Sequence, residues 1–197
     1  MNAKLLQTIS LLGAGITAGL MAGLFAAFAY AVMPGLGRAD AHTFVEAMQK
    51  INVAILNGWF MACFLGGLVL TVASLLLHLR SARSALPWIV VALVFYVAML
   101  VITAAVNVPL NDQLAAAGEH IANAEQVRAQ FESRWVTWNI VRAVVSTIAF
   151  VALSYALVLH GRDTAPEAQQ PSGPAAYTAP VPSPHGYPAG PVGTWQP

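Results

Sequence analysis

Four long apolar runs, at about residues 8–33, 51–77, 86–106 and 135–159, constrain this chain more than any other feature. Each is long enough to cross a bilayer, since about 20 residues at about 1.5 Å per residue cover a hydrocarbon core of about 30 Å. Inside lipid an open strand leaves its backbone donors without partners, so runs of this kind are helices. The expected fold is therefore all-α, a bundle of four transmembrane helices. Composition agrees: 58% of the residues are hydrophobic and 9% are charged, where an ordinary soluble domain has about 25% charged.

The first run follows Lys4 and passes Ala29-Tyr30-Ala31, which resembles a secretory signal and its cleavage site. It is too long for the apolar region of a signal, about 7–15 residues, and reads instead as a membrane helix closed by Met33-Pro34. Four spans put both ends of the bundle on one side. Lys4, Arg80, Arg83 and Arg162 fall there, against Arg38, Lys50, Arg128 and Arg134 opposite. The counts tie, but Arg80 and Arg83 sit in a short acid-free connection, which places both termini in the cytoplasm of a plasma-membrane protein. The membrane domain is expected over 1–162. Residues 163–197 carry nine of the twelve prolines and little aliphatic material, and read as a disordered, solvated tail with loose PxxP spacings at Pro171–Pro174 and Pro188–Pro191.

Several function classes are excluded early. A net charge of +1 with dispersed Lys and Arg offers no nucleic-acid surface. The single cysteine, Cys63, forms no intramolecular disulfide and no cysteine metal site. None of the five histidines shows ligand spacing, so no metal is expected; His78 and His160 fall at the inner helix ends, where capping helices is a simpler role than approaching one another as axial haem ligands. Gly15, Gly19 and Gly23 recur every fourth residue and flatten one face of the first helix, for bundle packing or a homodimer.

Polar residues that a bilayer tolerates poorly carry the functional signal. Trp135, Trp138, Asn139 and Arg142 follow i, i+3, i+4, i+7 spacing and share one helix face. Arg142 lies about 10 Å along the axis from Trp135, deep enough to be costly unless paired or hydrated. Three other segments deliver polar groups to the same end: Glu46, Gln49 and Asn52; Asn107 and Asn111 around Pro109; and Tyr30. Pro109 is expected to stop the third helix and turn a short helical segment along the outer surface. Tyr30, Asn52, Asn107, Trp138, Asn139 and Arg142 thus outline a pocket open to the outer face, and its amides and guanidinium suit a carbonyl-bearing ligand. The competing reading is an aromatic belt with Arg142 paired to Glu46 or Asp112 as a lock between helices.

The glycine-rich first helix, Val32-Met33-Pro34-Gly35-Leu36, Met48-Gln49-Lys50-Ile51-Asn52, Asn107-Val108-Pro109-Leu110-Asn111 and Trp135-x-x-Trp138-Asn139-x-x-Arg142 together resemble the anthrone oxygenase family of small four-helix membrane proteins. The resemblance covers about residues 8–160. It implies oxidation of an anthrone-like aromatic substrate by O2 without a cofactor. Arg142 with Asn139 or Asn107 would stabilise an oxyanion, Trp135 and Trp138 would stack on the polycycle with Asn52 and Asn111 binding it, and Glu46 or Tyr30 would act as base. The alternative is a membrane scaffold whose polar cluster fixes helix register.

Overall fold

The structure is a computed structural model that describes residues 3–80 and 84–164. The proline-rich tail, its PxxP spacings and Arg83 lie outside the described residues. Those described form helices and no strand: α1 (Ala3–Leu36), α2 (Ala41–Ala54), α3 (Gly58–His78), α4 (Leu86–Ala115) and α5 (Ala124–Thr164). Of these, α1, α3, α4 and α5 are long and apolar enough to cross a membrane.

The second apolar run is not one helix. It breaks at Asn57, whose Oδ1 accepts the Phe60 N–H at 3.0 Å to cap α3 while its Nδ2 donates to Ala54 O at 3.0 Å and closes α2. Asp40 caps the other end of α2, accepting the Thr43 N–H at 3.0 Å and its hydroxyl at 2.7 Å.

Both prolines expected to end helices are instead carried inside them. Pro34 follows a π-helical turn at Phe28–Val32, and Pro109 follows another at Thr103–Asn107. In an α-helix a proline ring strikes the carbonyl four residues back. One inserted residue widens the turn and moves that carbonyl aside, so the Met33 N–H pairs with Phe28 O and the Val108 N–H with Thr103 O. Asn107 and Val108 keep right-handed helical angles, and α4 runs on to Ala115 without the surface turn expected at Pro109.

Helix α5 packs between α1 and α4, while α3 touches both α1 and α4, which closes a four-helix ring. Its apolar core joins Leu11, Ala14 and Ala18 of α1 to Ile89, Ala92 and Tyr96 of α4 and to Ala149, Ala152 and Ala156 of α5. The small row in close contact is thus alanine. Gly19 lies against the Phe150 ring, whereas a Cβ on Gly15 or Gly23 would meet open space. Gly67 is where the chain needs no side chain: the Tyr96 hydroxyl crosses it to donate to Cys63 O or Phe64 O, at 3.0 and 3.1 Å.

With 41 residues, α5 outruns any hydrocarbon core. Its first turns pack on α2 beyond the apolar stretch, with Phe131 edge-on to Phe44. There Arg128 donates to Gly37 O and Ala39 O at 2.8 Å each, satisfying carbonyls past the end of α1, and pairs with Glu132 at 2.7 Å.

Candidate functional site

The two π-helical turns sit at the same end of the bundle, and the polar residues of α5 attach to both. A widened turn displaces backbone pairing from i+4 to i+5 and frees a nearby carbonyl. Asn139 Nδ2 donates to Phe25 O at 3.0 Å, just before the first π turn. Arg142 reaches Thr103, the first residue of the second π turn, through Nη1 at 3.5 Å. Thr103 itself donates to Met99 O at 2.8 Å.

Arg142 is 6% exposed. Its Nη2 donates to Asn139 Oδ1 at 3.0 Å, and its guanidinium lies over the Phe25 ring at 4.4 Å and the Trp135 ring at 5.5 Å. The Nε–H has no partner among the described residues. Among the described residues no carboxylate forms an ion pair with it: Glu46 pairs with His42 and Lys50 and Glu132 with Arg128, while Asp112 shares the cavity wall without pairing to Arg142. A buried guanidinium of this kind has donors to spare and two aromatic faces around it.

These groups open into a cavity of about 560 Å³. Phe25, Phe28, Phe60, Phe64 and Trp135 supply flat apolar walls, and Asn52, Asn111, Asp112, Asn139 and Arg142 the polar spots. Trp135 is held in place: its Nε1–H donates to Asn111 Oδ1 at 2.7 Å and its ring stacks on Phe131. Three more buried polar atoms here lack partners among the described residues, namely Asn52 Nδ2, Asn107 Oδ1 and, one turn along α5 from Arg142, Ser146 Oγ. Buried amides without partners are costly unless something else supplies the bond.

Of the residues expected from sequence, the structure brings together Asn52, Asn111, Trp135, Asn139 and Arg142 in the cavity wall, with Asn107 buried behind it and donating to Trp135 O at 3.4 Å. It does not bring in Tyr30, which is 75% exposed on the outer face of α1. Glu46 is also away from the wall, half-exposed on α2, and the Lys50 ammonium holds its carboxyl below the usual carboxylate range. Neither expected base reaches the site. Trp138 points outward because the stripe that α5 buries follows 135, 139, 142 and 146. The carboxylate in the wall is Asp112, and Thr103, Phe25 and Phe28 are contributors that sequence spacing did not single out.

Comparison with known families adds one observation. Residues 59–152 match the anthrone oxygenase family model. The matched segment carries Thr103, Asn107, Asn111, Asp112, Trp135, Asn139 and Arg142, and leaves out Tyr30, Glu46 and Asn52. No curated protein and no solved structure matches the chain.

Proposed function

We propose that the protein is a membrane-embedded oxygenase that converts an anthrone-like aromatic ketone to its quinone with O2, using this cavity and no resident cofactor. One observation carries the reading: a buried guanidinium with no acid partner, between two aromatic rings, in a cavity that could hold a flat polycycle. Such a group is suited to an oxygen anion that forms during reaction and is absent before it. The family match supports the same chemistry.

The carbon opposite the carbonyl in an anthrone carries acidic hydrogens, because its anion is a phenolate-like enolate. Asp112 takes one of those protons, and Arg142 with Asn139 receives the enolate oxygen. The enolate passes one electron to O2, and the substrate radical and superoxide combine at the ring carbon as a peroxide anion, which takes back the proton from Asp112 to give a hydroperoxide. Loss of water from that hydroperoxide leaves the second carbonyl, so one O2 becomes one quinone oxygen and one water. Phe25, Phe28 and Trp135 hold the rings flat. The cavity wall also includes Val53, Leu56 and Met61, whose exposed apolar side chains suit entry of the substrate from lipid. On the charge argument above, this end faces the outer side of a plasma membrane.

The test is oxygen uptake and quinone formation by the detergent-purified full chain given an anthrone in the presence of a chelator. Wild type should exceed the spontaneous rate, Asp112→Asn should lose at least about tenfold, consistent with general-base contributions of about 100-fold or more, and Glu46→Gln and Tyr30→Phe should leave the rate unchanged. A wild-type rate equal to the spontaneous one would remove the reading.

A further inference from the structure

At the opposite end of the bundle, about 27 Å from Arg142 by the rise along α5, a second polar cluster is buried that the cavity chemistry does not use. His78 at the end of α3 is 0% exposed and His160 near the end of α5 is 2% exposed. Their rings meet edge to face, with His78 Nε2 at 3.2 Å from His160 Nδ1. The chain of contacts extends both ways. His78 Nδ1 is 2.7 Å from Ser74 O, His160 Nε2 is 3.0 Å from Thr8 Oγ1, and Thr8 Oγ1 is 2.9 Å from Lys4 O.

Both ends of this chain are backbone carbonyls, which only accept. The Ser74 carbonyl therefore requires a hydrogen on His78 Nδ1, and the Lys4 carbonyl requires the Thr8 hydroxyl hydrogen. Between them remain two contacts, His78 Nε2 to His160 Nδ1 and His160 Nε2 to Thr8 Oγ1, each needing one hydrogen. Neutral His160 carries a hydrogen on one ring nitrogen only. One additional proton fills every contact, and a second would place two hydrogens in the gap between the rings.

We infer that His78, His160 and Thr8 form a binding site for a single proton, shared across the histidine pair, that ties α1, α3 and α5 together at this end of the bundle. The titratable and charged groups facing His160 are Asp163 of its own helix, Lys4 of α1 and His78 of α3. Asp163 is anchored by the Ser84 hydroxyl at 2.6 Å, which keeps an acid close to the proton. When the proton leaves, one contact has no hydrogen, and the Thr8 end, the less buried one, opens. The inference stands apart from the oxygenase reading.

The test is imidazole 15N–1H correlation spectra of the full chain in detergent, 15N-labelled at histidine and titrated over about pH 5–8, where histidines change charge. His78 and His160 are assigned by His78→Gln and His160→Gln. One shared step that takes up one proton, with His78 Nδ1 protonated throughout, is the expected result; two independent steps with one proton each would overturn the inference. Thr8→Val removes the acceptor for the second His160 hydrogen and should lower proton affinity about tenfold, with Thr8→Ser restoring it. An unmoved midpoint in folded Thr8→Val would also overturn it, and the wild-type proton count decides the matter if that variant does not fold.

Discussion

Replacing Arg142 with methionine separates a functional arginine from a structural one. The losses are hydrogen bonds from a charged donor to Asn139 Oδ1 at 3.0 Å and, at the weak limit of 3.5 Å, to Thr103 Oγ1, together about 1.5–3 kcal/mol, and two cation–π contacts at 4.4 and 5.5 Å, about 1 kcal/mol each. Against these stand the unpartnered Nε, about 1–3 kcal/mol, and the desolvation of the guanidinium, which amounts to several kcal/mol for a buried ion. Methionine fills a similar volume and follows the apolar wall. The two sides nearly cancel, and the net change for Arg142→Met falls between zero and about 2 kcal/mol of stabilisation, in line with other buried charges replaced by apolar residues. At about 2–4 °C per kcal/mol for a chain of this size, thermal unfolding in detergent, followed by tryptophan fluorescence, should occur at the wild-type temperature or a few degrees above it. Turnover should be lost in the same variant. A fall of more than about 5 °C would show that Arg142 locks the helices and that the cavity reading misjudges it.

Three further outcomes test the fold. Gly67→Ala should destabilise by about 2–3 kcal/mol through overpacking, because the new methyl meets the Tyr96 hydroxyl and ring; an unfolding temperature equal to wild type would contradict that packing. Arg128→Ala should cost about 2–3 kcal/mol, since the Gly37 and Ala39 carbonyls and Glu132 lose their donor together, and hydrogen exchange should rise first in 33–40. The Asp40 carboxyl is held below its usual range by its bonds to Thr43, so its cap acts above the unfolded value of about 3.9 and is lost as pH falls through the lower folded value. The Thr43 amide resonance should move in that acid window in wild type and stay still in Asp40→Ala.

Much of this was legible in sequence because membrane helices announce themselves by length. The four spanning helices follow from apolar runs, and Asn139 and Arg142 follow from polarity where lipid penalises it. The prolines misled for a physical reason: Pro34 and Pro109 each stand six residues after the start of a π turn, and a widened turn accommodates a ring that an α-helix rejects. Two X-Pro pairs at the ends of apolar runs were the available signal for those turns, and with them for Thr103 and the Phe25 carbonyl. Tyr30 and Trp138 were misplaced because sequence spacing gives a face but not which neighbour covers it. Glu46 was misplaced because its partners Lys50 and His42 lie on its own helix, an i, i+4 arrangement equally compatible with a surface. The proton chain needed coordinates, since His78, His160 and Thr8 come from three helices.

The most direct test of the central claim is the ionisation of a bound anthrone, followed anaerobically by the visible absorption of its enolate while pH is varied. Held against Arg142 and Asn139, the compound should ionise at a pH at least about one unit lower than in detergent alone, a tenfold preference for the anion, and Arg142→Met should abolish the difference. An ionisation midpoint that is the same in wild type, in Arg142→Met and in empty detergent would contradict the account.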